Sequence, residues 1–258
     1  MKKTLTALAV ASSLLFGSNA LAQESRPTIV LVHGAFADAS SWNGVITILE
    51  KDGYPVVASA NPLRGVKIDA QSVSDILGGI RSSVVLVGHS YGGNVITDAA
   101  NGHANVKALV YVSAFAPEAG ETAAGLSGKF PGSTLGPTLA PPVKLTDGGT
   151  DLYIQQDKFH DQFAADVPEA QAALMAATQR PVTEAALNEP TSKPAWKTLP
   201  SWFIYGTADK NIPPQAMAFM AKRANAKKVE VIDGGSHVVM VSNPQRVARI
   251  IENAAAAK

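Results

Sequence analysis

The residues best suited to chemistry lie in the segment Gly88-His89-Ser90-Tyr91-Gly92. An apolar run typical of a buried strand precedes it at residues 83–87, and a helical pattern follows from residue 94. A serine in a sharp strand-to-helix turn takes a strained backbone conformation, so its hydroxyl stands clear of both elements. The flanking glycines avoid a collision where strand and helix meet. The pattern predicts that Ser90 is a nucleophile and not merely a serine in a glycine-rich turn.

A serine nucleophile needs a base, and the sequence offers five histidines. His33 and His89 flank the two loops near the nucleophile and are expected to pack or hydrogen-bond locally. His103 lies in a polar turn, and His160 lies in a segment that interrupts the main pattern. His237 follows the last apolar run in a glycine-rich turn. The chain order Ser, Asp, His places the base in this last loop, which favours His237.

The base in turn needs a carboxylate that fixes its tautomer. Asp209 follows the apolar run at residues 201–205 and is the preferred candidate. Glu118 is the alternative, because some proteins of this architecture carry the acid after the preceding strand. Asp233 is nearer to His237 in sequence but is expected to shape its own turn.

Attack on a carbonyl group creates an oxyanion, which backbone N–H groups can stabilise. The loop that begins at His33 and Gly34 ends the first predicted strand, so one N–H is expected from Ala35. The second is expected from Tyr91, directly after the nucleophile. Ala35 and Tyr91 are therefore the predicted oxyanion hole.

The composition excludes several other chemistries. There are no cysteines, which rules out thiolate catalysis, disulfides and Cys-ligated zinc. The histidines lack the paired spacing of a metal site, so neither a metal nor another cofactor is expected. With a formal net charge of +1 and no Lys/Arg cluster, nucleic acid is not an expected partner. A small neutral molecule is expected instead.

Six short apolar runs are separated by helical patterns, and this alternation predicts a mostly parallel sheet flanked by helices. The runs at residues 28–32 and 83–87 are almost continuous in Val, Ile and Leu, as in strands buried on both faces of a parallel sheet. Asp69, Asn211 and Asn243 are predicted N-caps of three of the helices. The predicted strands cover residues 28–32, 54–60, 83–87, 106–112, 201–205 and 228–232.

Between about residues 117 and 200 this alternation stops. Residues 143–154 predict a small hairpin that turns at Asp147-Gly148-Gly149, and helical patterns follow. The segment includes Phe159, Phe163 and other large apolar residues, too many for a disordered loop. We predict that it forms a cap over the site.

The N-terminus has the pattern of an export signal. Two lysines precede an apolar run at residues 5–16, which is too short to span a bilayer. Small residues then occupy the positions that a signal peptidase reads, which predicts cleavage after Ala22. No cysteine follows, so no stable membrane anchor is expected. The sequence thus predicts a signal peptide at 1–22, a periplasmic or secreted protein, and one domain at 23–258.

These motifs resemble the α/β-hydrolase superfamily, and more narrowly the branch that holds plant methylesterases of aromatic acids and hydroxynitrile lyases. The similarity runs from about residue 28 to the C-terminus. It implies a mostly parallel sheet flanked by helices with an inserted cap, and a triad of Ser90, Asp209 and His237. The segments that carry it are Gly-His-Ser-Tyr-Gly-Gly at 88–93, His-Gly-Ala at 33–35 with Trp42 downstream, Thr-Ala-Asp-Lys-Asn-Ile-Pro at 207–213 and Gly-Gly-Ser-His-Val at 234–238.

Two positions favour the esterases within this branch. The lyases carry a lysine after the catalytic histidine, where this chain has Val238, and a threonine after the loop histidine, where it has Gly34. The resemblance therefore implies hydrolysis of esters rather than cleavage of cyanohydrins.

The resulting prediction is a serine hydrolase that cleaves small to medium, apolar or aromatic carboxylic esters through an acyl-enzyme. Two alternatives stay open: a cofactor-free haloperoxidase or perhydrolase with the same triad, and a ligand-binding protein without catalysis. Epoxide hydrolases and dehalogenases are disfavoured because they carry Asp at the position of Ser90. The oligomeric state is not predicted.

Overall fold

All six predicted strands form and pair in parallel into one sheet. The computed structural model describes residues 26–257, so the predicted signal peptide lies outside the described residues. The predicted α/β-hydrolase architecture is confirmed. The strands of the described chain are β1 (Thr28–Val32), β2 (Val56–Ser59), β3 (Val84–His89), β4 (Val106–Val112), β5 (Val143–Lys144), β6 (Thr150–Leu152), β7 (Val182–Thr183), β8 (Ser201–Gly206) and β9 (Lys228–Ile232). The order of strands in the main sheet is β2-β1-β3-β4-β8-β9.

Helices cover both faces of this sheet, which explains why its central strands are continuous in apolar residues. The helices of the described chain are α1 (Asn43–Lys51), α2 (Val66–Gly79), α3 (Gly92–Ala99), α4 (Ala123–Gly128), α5 (Gln156–Phe163), α6 (Glu169–Thr178), α7 (Glu184–Asn188), α8 (Pro214–Arg223), α9 (Val239–Ser242) and α10 (Pro244–Ala255). Helices α2 and α3 pack together, and α3 contacts β1, β3 and β4. Helices α1 and α10 also pack together, and α10 contacts β3, β4 and β8. Every residue of β1 and β3 is buried as a result.

The chain between β4 and β8 forms α4 to α7 and a small antiparallel sheet, in the order β5-β6-β7. The predicted hairpin is confirmed, because Val143 pairs with Asp151 and Lys144 with Thr150. Gly148 takes a positive φ of 87° in its turn, a conformation that glycine adopts without strain. We call residues 117–200 the cap throughout.

Two of the three predicted N-caps are wrong. Helix α2 begins after Gly65, and Asp69 lies buried in its first turn, where it accepts hydrogen bonds from Tyr91 Oη and from the Arg64 N–H. Helix α8 begins after Pro213, while the Asn211 side chain bonds to the cap. In both cases the side chain that the local pattern assigned to a helix end forms a hydrogen bond with a residue far away in the chain instead.

The third predicted boundary is confirmed in position, because α10 begins directly after Asn243. The asparagine side chain makes no capping hydrogen bond there. Among residues 26–257, no helix has both the length and the apolar character needed to cross a membrane.

Candidate active site

The turn around Ser90 joins β3 to α3 with a positive φ of 53° at the serine. This left-handed conformation strains a residue that has a side chain, and such strain concentrates at functional sites. A Cβ atom at Gly88 would lie 2.6 Å from the carbonyl oxygen of Gly92, and one at Gly92 would lie 2.6 Å from that of Val32. The two glycines are therefore required by the close approach of strand, turn and helix.

Three further loops reach the same edge of the sheet as Ser90. Because all six strands are parallel, the loops that follow β1, β3, β8 and β9 all leave from their carboxyl ends. Ala35 follows β1, Asp209 follows β8 and His237 follows β9. Residues separated by up to 202 positions in the chain thus meet at one edge (35 to 237).

Asp209 and His237 form a buried pair. His237 donates from Nδ1 to Asp209 Oδ2 over 2.7 Å, and both side chains are at most 1% exposed. Asp209 Oδ1 accepts the backbone N–H groups of Asn211 at 2.8 Å and Ile212 at 2.9 Å. Three donors therefore orient the carboxylate. It selects the imidazole tautomer that leaves Nε2 free to accept a proton.

The two other candidate carboxylates lie elsewhere. Glu118 forms an ion pair with Lys197 over 2.6 Å, and this hydrogen bond lowers the pKa of the Glu118 carboxyl. Asp233 accepts a hydrogen bond from Thr207 Oγ1 at 3.1 Å. The structure therefore separates Glu118 from the histidine. Thr207 Oγ1 also accepts the N–H of Gly234 at 2.8 Å, so the Asp233 side chain joins its own turn to the loop after β8.

The loop after β1 presents backbone N–H groups beside Ser90. Ala35 and Tyr91 line the same cavity as Ser90, and within residues 26–257 neither backbone N–H has a hydrogen-bond acceptor. The neighbouring N–H groups are engaged: Phe36 donates to Arg180 at 3.1 Å, and Ser90 donates to the carbonyl of β4 at 3.3 Å. The arrangement leaves two free donors where the sequence predicts the oxyanion hole.

His33 and His89 are buried, as expected for local packing, and burial lowers the pKa of both imidazoles. His89 donates from Nε2 to the carbonyl oxygen of His237 at 3.1 Å, and the two rings lie 4.8 Å apart between centroids. His103 bonds to Ser74 at 2.7 Å, away from this group. Of the five histidines, His237 is the one that lines the cavity with Ser90.

A cavity of about 340 Å³ lies against Ser90 and His237. Its walls come from the loops of the main sheet and from the cap, and no Asp, Glu, Lys or Arg of the described chain lines it. The sequence did not predict which cap residues line the cavity, because an apolar residue can equally well belong to the hydrophobic core. The large apolar residues that line the cavity include Phe115, Leu135, Leu139, Phe163, Leu187 and Ile212.

A metal site is not evident in this part of the molecule. Within residues 26–257, no group of three or more His, Asp or Glu side chains is arranged to hold a metal ion. The chemistry that the arrangement supports uses the side chains and backbone N–H groups described above.

Known proteins resemble this chain over most of its length. The sequence model of the alpha/beta hydrolase family matches residues 29–250. An alpha/beta hydrolase of Aspergillus novofumigatus is 27% identical over 252 residues, which cover 89% of this chain and 97% of that protein. An alpha-hydroxynitrile lyase of Arabidopsis thaliana is 26% identical over 246 residues, with 87% and 95% covered.

Among solved structures, polyneuridine aldehyde esterase superposes with a TM-score of 0.75 and 18% identity, covering 88% of this chain and 98% of that one. The predicted resemblance to the branch of methylesterases and hydroxynitrile lyases is confirmed, as is the prediction of an enzyme. The chain belongs to the alpha/beta hydrolase family.

Proposed function

We propose that this enzyme is a serine hydrolase that cleaves carboxylic esters, with Ser90, Asp209 and His237 as its catalytic triad. The observation that carries the proposal is the buried Asp209–His237 hydrogen bond of 2.7 Å at a cavity that Ser90 also lines. A histidine held in one tautomer, at a cavity that a strained serine also lines, is the arrangement that activates a hydroxyl group.

The reaction proceeds in two steps. His237 Nε2 takes the proton of Ser90 Oγ while this oxygen attacks the ester carbonyl, and the N–H groups of Ala35 and Tyr91 hold the oxyanion. The C–O bond to the alcohol breaks, and His237 returns the proton to the leaving oxygen. Water then attacks the acyl-enzyme with His237 as base, which frees the acid and restores Ser90. Asp209 stabilises the imidazolium in both steps.

The cavity supports small to medium, uncharged substrates with apolar or aromatic groups. Its walls are formed mainly by Phe, Leu, Ile and Ala side chains. A charged group placed there would lose its hydration without gaining an ionic partner. An apolar acyl or aryl group would exchange water contacts for these side chains.

Hydrolysis is favoured over cyanohydrin cleavage, although one relative is a hydroxynitrile lyase. Val238 is fully buried and offers no positive charge beside His237. A Cβ atom at Gly34 would lie 2.6 Å from Ser90 Cβ, so the threonine that the lyases carry has no space here. The residues at both positions, Gly34 and Val238, thus differ from those of the lyases and support an esterase.

Labelling with a fluorophosphonate probe tests the proposal without a known substrate. We expect wild-type enzyme to be labelled at Ser90 and Ser90→Ala to stay unlabelled. A p-nitrophenyl ester series of increasing acyl length, beside aromatic methyl esters, then measures the preference. An unlabelled wild type contradicts a serine nucleophile. Turnover only with acetate and peroxide indicates a perhydrolase, and labelling without turnover indicates a binding protein.

We also propose export to the periplasm or the medium, with cleavage after Ala22. Two lysines, a short apolar run and small residues at the cleavage positions support it. N-terminal sequencing of the enzyme recovered outside the cytoplasm should begin at Gln23. A cytoplasmic protein that retains Met1 contradicts the proposal.

A further inference from the structure

One face of cap helix α5 lies against the loops that follow β1, β3, β8 and β9, which we call the catalytic loops. Phe159, Gln162 and Phe163 are spaced three and four residues apart, which places them on one side of the helix, and all three are buried. The Phe163 ring lies 5.0 Å from the His237 ring and 6.3 Å from the Phe36 ring, measured between centroids. This cap helix therefore touches both the base and the loop after β1.

Gln162 bonds this helix to the loop that carries Asp209. Its Nε2 donates to the carbonyl oxygen of Lys210 at 2.9 Å and to Asn211 Oδ1 at 3.1 Å. Asn211 Nδ2 donates back to the carbonyl oxygen of Gln162 at 3.3 Å. Gln162 Oε1 accepts from Thr134 Oγ1 at 2.8 Å. Both N–H bonds and the oxygen of this buried amide are thus paired.

The same loop orients the catalytic carboxylate. The backbone N–H of Asn211 donates to Asp209 Oδ1, and Asp209 Oδ2 accepts from His237. A continuous series of hydrogen bonds therefore runs from Gln162 through Asn211 to Asp209 and His237. Removing the amide of Gln162 would leave Asn211 Oδ1 buried and unpaired, while the carbonyl oxygen of Lys210 would keep only the N–H of Thr134 at 2.9 Å. The loop would then have to shift or admit water.

We propose that Gln162 is a positioning residue that holds the Asp209 carboxylate in its working orientation. Helix α5 is then a fixed wall of the active site and not a lid that opens in each turnover. The inference rests on the proposed function, because the orientation of Asp209 matters only if His237 acts as a base.

The test compares Gln162→Met with Gln179→Met. Each substitution replaces a cap glutamine by methionine, which has a similar shape but no amide group. Gln179 also makes three side-chain hydrogen bonds, but to the backbone of Ile154 and Ala176 within the cap. We expect Gln162→Met to lower kcat and the fluorophosphonate labelling rate by about tenfold with KM within about twofold, as for a misplaced catalytic group.

Gln179→Met should leave both rates within about twofold of wild type, whatever its effect on the unfolding midpoint. Equal rate losses in the two variants, or a change in KM alone, would overturn the positioning role. If wild type is labelled and Gln162→Met is labelled at the same rate, this inference fails while the proposed function stands. If wild type is not labelled, the proposed function itself fails.

A milder variant covers the case in which Gln162→Met does not fold. Thr134→Val removes only the hydroxyl that donates to Gln162 Oε1. The loss of one hydrogen bond in the series should reduce the labelling rate by about threefold with KM unchanged. A folded Thr134→Val enzyme with the wild-type rate would contradict the proposal.

Discussion

The catalytic loops and the cap enclose one cavity but are built differently. The loops start from the ends of fully buried strands such as β3, where Gly88 and Gly92 allow backbone contacts closer than any side chain would permit. The cap consists of short elements: β5 has two residues and is exposed, and Leu174 on α6 is 69% exposed. The difference indicates that the buried sheet fixes the loops of the proposed triad, whereas the cap can vary in shape without disturbing the sheet.

The two regions are not independent, because α5 connects them. Phe163 packs on the His237 ring, and Gln162 bonds the loop of Asp209. The rest of the cap wall, including Leu187, contributes shape to the cavity. Substitutions in the loops should therefore affect the rate of reaction, and most substitutions in the cap should affect the choice of substrate.

The largest effect is expected for Ser90→Ala. Loss of the nucleophile should lower kcat by about 10⁶ with the fold intact, by analogy with other triads. Steady-state kinetics with a p-nitrophenyl ester measures the loss, and an unchanged thermal unfolding midpoint is the control. Turnover near the wild-type level would exclude Ser90 as the nucleophile.

The next largest effect is expected for Asp209→Asn, about 10⁴ in kcat. The carbonyl oxygen of Asn would keep the two backbone donors that Oδ1 now accepts. Its NH₂ group would then face His237 Nδ1, which forces the proton onto Nε2 and removes the base. Glu118→Gln is the matched control and should leave kcat unchanged. A comparable loss in Glu118→Gln would show that the acid is misassigned.

A cap substitution, Leu187→Ala, should change selectivity instead of rate. Enlarging the cavity should raise kcat/KM for a bulky acyl ester relative to an acetyl ester by about tenfold, within the usual range for an apolar pocket. The exposed Leu174→Ala is the control from the same region. An equal change in kcat for both esters would contradict the division between loops and cap.

The smallest effect is expected beneath the catalytic turn, at Asp69. Burial raises the pKa of this carboxyl in the folded protein. The folded state therefore holds the proton more tightly, so stability is lost as pH rises above the ordinary carboxyl pKa of about 3.9. In Asp69→Asn the amide oxygen can accept the Arg64 N–H and the NH₂ group can donate to Tyr91 Oη, so both contacts are kept without a charge. The substitution should raise the free energy of unfolding near pH 8 by about 1 kcal/mol, a typical single-residue effect.

Urea unfolding across a pH series measures this difference. The exposed Asp75→Asn on the same helix is the control and should leave the pH dependence of stability unchanged. A pH dependence in Asp69→Asn equal to that of wild type would show that the buried carboxyl does not carry the effect.

The main sheet could be predicted from the sequence because burial on both faces requires continuous apolar runs. Three strands, β1, β4 and β9, have the predicted bounds. The helix starts at Asp69 and Asn211 were wrong because both side chains bond to residues far away in the chain, Tyr91 and Gln162. Local patterns contain no information about such partners.

The sequence by itself determined the architecture and the candidate nucleophile, since strand burial and the glycines around Ser90 are requirements of short segments. It also nominated Asp209 and His237 but left Glu118 as an alternative. Only the tertiary structure decided which carboxylate contacts His237, because hydrogen bonding depends on distances between loops from different strands. The coupling of the cap to Asp209 through Gln162 was likewise decided by the tertiary structure. Two amides 49 positions apart become partners only when the chain has folded.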